Sequence, residues 1–271
     1  MSGYLDMQAE IGISKHQGGL PATRQLLALC HIERAREVLD AGCGIGVGSA
    51  YIARMHDCRV VGVDLSPKMI EWARQRAREE GVADRVELVV ADLLGLPFEA
   101  DRFDVVVAES VLAFVDDKAV AIAELVRVTK PGGYVGLNEL VPLGEMPDDL
   151  AQVASDLGSK VLNARDWRAL WDGSGLTDRV VKIRRIDPVV EVRSRMRWIG
   201  LWWMVRAWGR AVYLLIAKPE IRRSVRTVAG GAKALDSWTV GLFTGQKQLK
   251  AHEGLERRTL RETASEGQAV A

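Results

Sequence analysis

A glycine at every second position follows an apolar run early in the chain, and this loop constrains the fold more than any other feature. The run V-L-D-A at Val38–Ala41 leads into Gly42, Gly44 and Gly46, and a helix is predicted after them. Glycine lets the backbone approach a ligand closely, because a Cβ at these positions would collide with it. The pattern of strand, glycine loop and helix predicts a cofactor site in an α/β sheet.

An acidic residue at the end of the next apolar run indicates which kind of cofactor to expect. Val60–Val63 are predicted to form a buried strand that ends at Asp64, and Ser66 and Pro67 are typical of the start of the following helix. An acid about 20 residues beyond such a loop is placed to bond ribose hydroxyls. Val47 stands where the dinucleotide pattern has its third glycine. We therefore expect an adenosine-containing cofactor other than NAD.

Four motifs in this order resemble those of class I S-adenosylmethionine-dependent methyltransferases. The G-x-G-x-G loop after V-L-D is the first of them. The others are V-V-G-V-D-L-S-P at 60–67, R-V-E-L-V-V-A-D-L-L at 85–94, and R-F-D-V-V-V-A-E-S-V-L at 102–112, which is followed by L-V-R-V-T-K-P-G-G-Y-V-G-L-N-E at 125–139. The resemblance covers roughly the stretch from 20 to 140. It implies S-adenosylmethionine as the cofactor and S-adenosylhomocysteine as the product.

The resemblance also implies roles for single residues. Asp64 would bind both ribose hydroxyls, and Leu65 would pack against adenine. Asp92 would accept a hydrogen bond from the adenine amino group, and the backbone N–H of Leu93 would bond the ring. The candidate cofactor residues lie in the glycine loop or close to the ends of the predicted strands: Asp40, Gly42, Cys43, Gly44, Gly46, Asp64, Leu65, Met69, Ala91, Asp92, Leu93 and Glu109.

Three residues are candidates for chemistry on the acceptor. Glu109 ends the fourth predicted strand, Glu139 follows the fifth, and His16 lies in the segment before the first strand. A sulfonium methyl group is already activated, so positioning and exclusion of water supply most of the catalysis. A base is needed only where the acceptor must lose a proton. The alternatives remain that both acids are structural and that His16 belongs to a flexible lead-in, because this family has no universal catalytic residue.

The alternation of apolar runs and helical stretches predicts an α/β fold, a Rossmann-like doubly wound sheet of about seven strands. Strands are expected near 36–40, 59–64, 85–91, 103–108, 133–140, 177–186 and 237–245, the last antiparallel. The expected organisation is a helical lead-in at 1–34, a cofactor domain at 35–187, a helical cap insertion at 188–233, a final strand at 234–246 and a polar tail at 247–271. Ligand would then bind beyond the carboxyl ends of the strands.

Composition excludes several function classes. The formal charge of +1 gives no overall attraction to nucleic acid, and no nucleic-acid motif accompanies it. Cys30, Cys43 and Cys58 form no C-x-x-C pair, which favours a reduced protein without a structural metal or a disulfide framework. The first residues contain no secretory signal pattern. We therefore expect a cytoplasmic protein that binds no metal, and peripheral contact with a membrane stays open.

The stretch 188–233 differs from the rest of the chain. It contains four of the eight tryptophans, with eight arginines, two lysines and two glutamates, a net charge of +8 against −7 for the remainder. Three interpretations stay open: a helical cap over the substrate, a basic aromatic surface on an anionic membrane, and a helical extension or dimer interface. A transmembrane helix is disfavoured because Arg206 and Arg210 would lie within the bilayer.

An insertion at this place and the pair Glu109-Ser110 are similar to the ubiquinone/menaquinone, tocopherol and sterol methyltransferase group. This resemblance implies a lipophilic acceptor such as a quinone, an isoprenoid or a lipid headgroup. Two alternatives remain: a catalytically silent cofactor-binding or membrane-associated protein, and an NAD-dependent oxidoreductase. Val47 and the lack of a Tyr-x-x-x-Lys pair beside the cofactor region argue against the oxidoreductase. The oligomeric state stays open.

Overall fold

A computed structural model of the chain describes residues 3–14, 16–142, 144, 146, 148–185, 193, 198–218, 222, 225 and 238–249. Seven strands lie within these ranges. They are β1 Glu37–Ala41, β2 Arg59–Asp64, β3 Val86–Val90, β4 Phe103–Glu109, β5 Thr129–Pro142, β6 Thr177–Arg185 and β7 Trp238–Gln246.

The strands form one sheet in the order β3-β2-β1-β4-β5-β7-β6. The first five strands pair in parallel, and β7 runs antiparallel to both β5 and β6. The order reverses at β1, so the space beyond the carboxyl ends of β1 and β4 is the topological switch point where such sheets bind ligands. The predicted Rossmann-like α/β sheet, with its antiparallel last strand, is confirmed.

Eight α-helices accompany the sheet in the described ranges. They are α1 Gly3–Ile11, α2 Gly19–Leu29, α3 Val47–Met55, α4 Pro67–Glu79, α5 Lys118–Val128, α6 Asp148–Asp156, α7 Ala164–Asp172 and α8 Leu201–Ala217, with single 3-10 turns at Ile32–Arg34 and Leu112–Phe114. The predicted helix start at Ser66 holds, because its hydroxyl accepts a hydrogen bond from the backbone N–H of Met69 at 3.3 Å.

Two boundaries differ from those that the sequence predicts, and one helix was not predicted. Within the helical lead-in the sequence predicts a helix over 21–32, whereas α2 spans Gly19–Leu29 and follows Gly18, which takes a left-handed conformation with φ 72°. The fifth strand extends beyond 133–140 at both ends, since β7 pairs with it as far as Pro142 and the N–H of Gly132 donates to the carbonyl of Lys247. Helix α1 was not predicted.

Apolar side chains cover both faces of the sheet. On one face Leu26 of α2, Ile52 of α3 and Ile70 of α4 are fully buried against it. On the other face Leu125 of α5 packs with Trp167 and Trp171 of α7. Burial on both faces explains why the central strands are almost continuously apolar.

The insertion is described only in part. Within 188–233 the structure describes 193, 198–218, 222 and 225, and in the tail it describes 247–249; the remaining positions of both predicted segments lie outside the described residues. Helix α8 packs on α1. Among the helices described, none is long and apolar enough to cross a membrane.

Candidate active site

A cavity of about 1020 Å³, part of which is open to solvent, lies beyond the carboxyl ends of β1, β2 and β4. Most of the predicted site residues line it. They are His16, Gly42, Gly44, Asp64, Leu65, Met69, Ala91, Asp92, Leu93 and Glu109.

The glycine loop is crowded by the protein itself. Gly42, Gly44 and Gly46 all have positive φ, between 54° and 77°. A Cβ on Gly42 would lie 2.4 Å from the side chain of Val111, and one on Gly46 would lie 2.8 Å from Cβ of Ala73. Atoms of neighbouring loops and of α4 already fill the space that a Cβ would need. The expected collision with a ligand is therefore only part of the reason for glycine at these positions.

Asp64 joins the glycine loop to the start of α4. Its Oδ2 accepts a hydrogen bond from the backbone N–H of Gly44 at 2.9 Å, and its Oδ1 accepts one from Ser66 N–H at 2.9 Å. Burial raises the pKa of this carboxyl, and the two backbone donors oppose that rise. Each oxygen retains acceptor capacity toward the cavity that it lines.

Apolar and acidic groups meet next to Asp64. Leu65 is 55% exposed and Leu93 is buried at 6%, and both line the cavity together with Met69. Asp92 is exposed at the rim, where its Oδ1 accepts a hydrogen bond from Leu94 N–H at 2.9 Å. A flat heterocycle between apolar side chains, with an acid at its edge, suits this arrangement.

Glu109 is a buried carboxyl at the end of β4. Its Oε2 accepts hydrogen bonds from the hydroxyl of Thr23 at 2.7 Å and from the amide nitrogen of Asn138 at 2.8 Å. Its Oε1 lies 3.9 Å from Nδ1 of His16. Burial raises the pKa of Glu109, while the Asn138 and Thr23 hydrogen bonds oppose the rise. A carboxyl held in this way can bind a cation or exchange a proton with a neighbour.

The segment before α2 is fixed over this carboxyl. The backbone N–H of Gln17 donates to the hydroxyl of Ser110 at 3.0 Å, and Asn138 donates to the carbonyl of Gln17 at 3.0 Å. The ring of His16 lies 4.8 Å from that of Trp198. In the structure these contacts place His16 at the wall of the cavity.

Four predicted site residues are not among those that line the cavity: Asp40, Cys43, Gly46 and Glu139. Asp40 is buried in β1 and accepts a hydrogen bond from Ser49 at 2.6 Å, and burial raises its pKa to about 6. The Cys43 thiol is fully buried, and burial raises its pKa well above the usual range. Gly46 precedes α3 and packs against α4.

Glu139 supports the loop after β4 from behind. Its Oε1 accepts hydrogen bonds from the backbone N–H groups of Val111 at 3.0 Å and Leu112 at 2.8 Å. Burial raises its pKa to about 7, against these donors. In the structure Glu139 therefore holds Val111, which does line the cavity.

Sequence reasoning missed one whole wall of the cavity. Tyr4, Leu5 and Gln8 of α1 line it, together with Phe114 and Val115 beyond β4. A weak signal for α1 was present, because Tyr4, Met7 and Ile11 recur at helical spacing. Nothing in the local sequence shows that this helix packs over the ends of the strands.

The lining fits S-adenosylmethionine, the cofactor that the sequence motifs imply. Asp64 and Asp92 offer carboxylate acceptors for ribose and adenine, and Leu65 and Leu93 offer apolar contacts for the ring. The hydroxyl of Ser14 lines the same cavity, is buried and has no hydrogen-bond partner among the described residues. A buried polar atom of this kind is normally satisfied, so it provides a bond for a polar group of the ligand.

Comparison with known proteins bears on the family to which the chain belongs. A family model described as a methyltransferase domain matches residues 39–137. Methyltransferase GfsG of Streptomyces halstedii is 34% identical over 132 residues, covering 49% of this chain and 48% of that protein. The uncharacterized methyltransferase YodH of Bacillus subtilis (strain 168) is 32% identical over 173 residues, covering 63% of this chain and 72% of that protein. The chain thus spans about half the length of GfsG and most of YodH.

A solved structure shares the fold over nearly the full chain. The [4+2]-cyclase SpnF aligns with a TM-score of 0.69 and 20% identity, covering 90% of this chain and 92% of that chain. At this identity the likeness concerns the fold alone. The family model covers the segments that form the cofactor end of the cavity, and the similarity to YodH over 72% of its length shows that the chain belongs to the class I S-adenosylmethionine-dependent methyltransferase family.

Proposed function

We propose that the protein transfers a methyl group from S-adenosylmethionine to a small, lipophilic acceptor. The observation that carries this proposal is the division of one cavity into two chemically different parts. Gly44, Asp64 and Asp92 form a polar part at the ends of β1, β2 and β3. Tyr4 and Phe114 belong to an apolar part, where their rings stack with centroids 6.0 Å apart.

The polar part would hold the cofactor. Asp64 would accept hydrogen bonds from the ribose, and Asp92 would accept one from the adenine amino group. The bound cofactor supplies a methyl group that its sulfonium already activates. The chain would then need to orient the acceptor and exclude water, which the stacked Tyr4 and Phe114 rings favour at their side of the cavity.

The apolar part would hold the acceptor. Leu5, Val111 and Val115 extend the apolar lining beside Phe114. Burial of each methylene of an acceptor contributes about 0.8 kcal/mol, so a quinone, an isoprenoid or an acyl chain would gain more here than a polar metabolite. Glu109 and His16 are the groups that could accept a proton from the acceptor where the reaction requires it. We propose that the protein is cytoplasmic and contacts membranes peripherally.

The first experiment is calorimetric titration of the full chain with S-adenosylhomocysteine, with NAD in parallel. We expect binding of S-adenosylhomocysteine in the micromolar range and none of NAD. Binding of NAD alone would overturn the proposal in favour of an oxidoreductase. Binding of neither would overturn the cofactor assignment.

A second experiment tests the acceptor class and turnover. Methyl transfer from labelled donor is measured to a series of acceptors that share one nucleophile and differ only in the length of an alkyl tail. We expect kcat/KM to rise about threefold or more for each added buried methylene until the cavity is filled. A flat series would reject the lipophilic acceptor. Cofactor binding with no transfer to any member would instead favour the alternative of a catalytically silent cofactor-binding protein.

A further inference from the structure

Helix α8 carries apolar side chains on two opposite faces. Its inward face, with Trp203, Ala207 and Leu214, is buried against α1 and its surroundings. Its outward face is exposed, with side chains between 53% and 76% accessible: Leu201, Trp202, Val205, Trp208, Val212, Tyr213 and Ile216. A helix with apolar residues on two opposite faces is normally covered on both of them, by other protein or by lipid.

These seven residues form one continuous patch, here called the outward face of α8. Leu201, Val205, Trp208 and Val212 recur at intervals of three and four residues and so lie along a single line of the helix. Trp202, Tyr213 and Ile216 are adjacent to this line. Scattered exposed apolar residues need no explanation, but a large contiguous patch of this kind marks an interaction site.

We propose that the outward face of α8 docks on an anionic membrane surface. Charge complementarity carries the choice of partner. Three arginines stand in the eight residues before α8 and three more in the nine residues after it: Arg193, Arg195, Arg197, Arg222, Arg223 and Arg226. Arg193 and Arg222, which the structure describes, are exposed. Flanking cations beside an apolar helical face are what an anionic bilayer attracts.

The composition of the face supports the same partner. Trp202, Trp208 and Tyr213 are amphipathic aromatic residues, which favour the boundary between lipid headgroups and acyl chains. The two cations of the helix itself already have partners: Arg206 bonds Glu79 at 3.0 Å, and Arg210 donates to the carbonyl of Ile11 at 2.7 Å. A single apolar helical face of this kind lies in the interface plane and does not span the bilayer.

A second copy of the chain suits this face less well. Self-association through the outward face would bring together two segments that each carry a net charge of +8. Like charges placed together at an interface oppose association. The remainder of the chain has a net charge of −7, so it would be repelled from the same lipid surface and would leave the insertion as the point of contact.

The docked orientation deepens the proposed function, on which this step rests. Two side chains of α8 donate to backbone carbonyls at the end of α1: Arg210 to Ile11 at 2.7 Å, and Trp203 to Gly12, the residue after the helix, at 2.8 Å. Helix α1 is in turn a wall of the apolar part of the cavity. The lipid-facing helix and the acceptor part of the cavity are therefore separated by one helix, and the acceptor class becomes a molecule that partitions into the bilayer.

The test is sedimentation of the full chain with vesicles of phosphatidylcholine alone and with vesicles containing one third phosphatidylglycerol. We expect binding to the anionic vesicles, weaker binding at higher salt, and little binding to the neutral ones. Replacement of Trp202 and Trp208 by serine should weaken partition by about tenfold or more. Replacement of Val120 and Ile183 by serine is the matched control, because these apolar residues are also exposed but lie on α5 and β6.

Two outcomes would overturn the proposal. One is failure of the wild-type chain to bind anionic vesicles. If such a chain is a dimer and the Trp202→Ser, Trp208→Ser variant is a monomer, the outward face of α8 binds a second copy instead of a membrane. The other is equal loss of partition in both double variants, which would indicate non-specific adsorption. Titration with S-adenosylhomocysteine is run on each variant. Vesicle binding without cofactor binding would reject the proposed function alone, and cofactor binding without vesicle binding would reject the membrane surface alone.

Discussion

The carboxylate of Asp64 accepts a hydrogen bond from the backbone N–H of Gly44 across 2.9 Å, at the adjacent ends of two parallel strands. One side chain thereby fixes the shape of the glycine loop and presents acceptor oxygens to the cavity. The shape of the glycine loop and the recognition of a ligand at this end of the site therefore depend on the same residue.

Replacement of Asp64 by asparagine should weaken binding of S-adenosylhomocysteine by roughly 10- to 100-fold, the value of one hydrogen bond to a buried charged group. An amide has one acceptor oxygen in place of two, so it cannot satisfy both Gly44 and Ser66 and also bond the ribose. Calorimetric titration measures the change. The control is Asp57→Asn, because the Asp57 side chain is fully exposed. Equal affinity of the Asp64 variant and wild type would refute the ribose assignment.

The charge of Glu109 should favour the cationic cofactor over its neutral product. We expect Glu109→Gln to lower the preference for S-adenosylmethionine over S-adenosylhomocysteine by about tenfold at pH 8, because a buried carboxylate interacts strongly with a nearby cation. The matched control is Glu139→Gln, a carboxyl that is equally buried but does not line the cavity. A loss of preference in both variants, or in neither, would contradict this role for Glu109.

Protonation of Glu139 should make stability depend on pH. Its pKa rises from an ordinary 4.5 to about 7 in the folded protein, so between these values the folded state holds a proton that the unfolded state has released. Stability from this group is present below pH 4.5 and is lost as pH rises through 7. Glu139→Gln should remove this fall, which amounts to roughly 3 kcal/mol. Urea unfolding from pH 5 to 8 measures it.

The control for Glu139 is Glu87→Gln, which removes one negative charge from an exposed side chain on β3. We expect it to follow the wild-type pH dependence. Parallel curves for wild type and the Glu139 variant would mean that this carboxyl is not the group that titrates.

Two glycines with similar backbone conformation separate strain from crowding. Gly42 has φ 77° and Gly81 has φ 68°, but a Cβ on Gly42 would lie 2.4 Å from Val111 whereas one on Gly81 would meet nothing within 4 Å. Both alanine variants should lose about 1 kcal/mol from the left-handed backbone. Gly42→Ala should lose a further 1–3 kcal/mol, since overpacking forces the neighbours apart. Equal losses in denaturant unfolding would show that the loop accommodates the methyl group.

Two adjacent tryptophans on α8 provide a test of how α1 is held. Trp203 is buried, and its indole N–H donates to the carbonyl of Gly12 at 2.8 Å, whereas Trp202 is 75% exposed. Trp203→Phe should lower the free energy of unfolding by about 1–3 kcal/mol and weaken cofactor binding severalfold, because a buried carbonyl loses its donor and the cavity wall loosens. Trp202→Phe should change neither quantity. Urea unfolding measures the free energy of unfolding of both variants, and calorimetric titration measures their affinity for the cofactor.

The cofactor end of the site was predictable because its signals are local. The glycine loop, Asp64 and the cap at Ser66 each follow from short patterns, and parallel strands bring their carboxyl ends together. Glu139 shows where such reasoning stops. Asn138 and Glu139 are neighbours on β5, so their side chains point to opposite faces of the sheet. Asn138 reaches Glu109, and Glu139 reaches the loop after β4.

The apolar end of the cavity was not predictable because its parts are distant in sequence. Tyr4 stacks on Phe114 from a helix that no motif announces, and Gly42 needs its glycine because of Val111, whose position depends on the whole fold. The family model likewise matches 39–137 and so leaves α1 and α8 outside it. These contacts depend on how remote segments pack together. Neither the composition nor the periodicity of the sequence predicts that packing.

The attachment of α1 bears on how the specificity of this protein can change. Three donors on other helices bond backbone carbonyls at the end of α1: Trp72 at Ala9, Arg210 at Ile11 and Trp203 at Gly12, the residue after the helix. Carbonyl groups are the same whatever side chains α1 carries. The α1 residues that face the proposed acceptor can therefore be exchanged, during evolution or in a directed library, without loss of these hydrogen bonds. Selectivity for the acceptor could then change through α1 alone, while the cofactor-binding part of the fold stays constant.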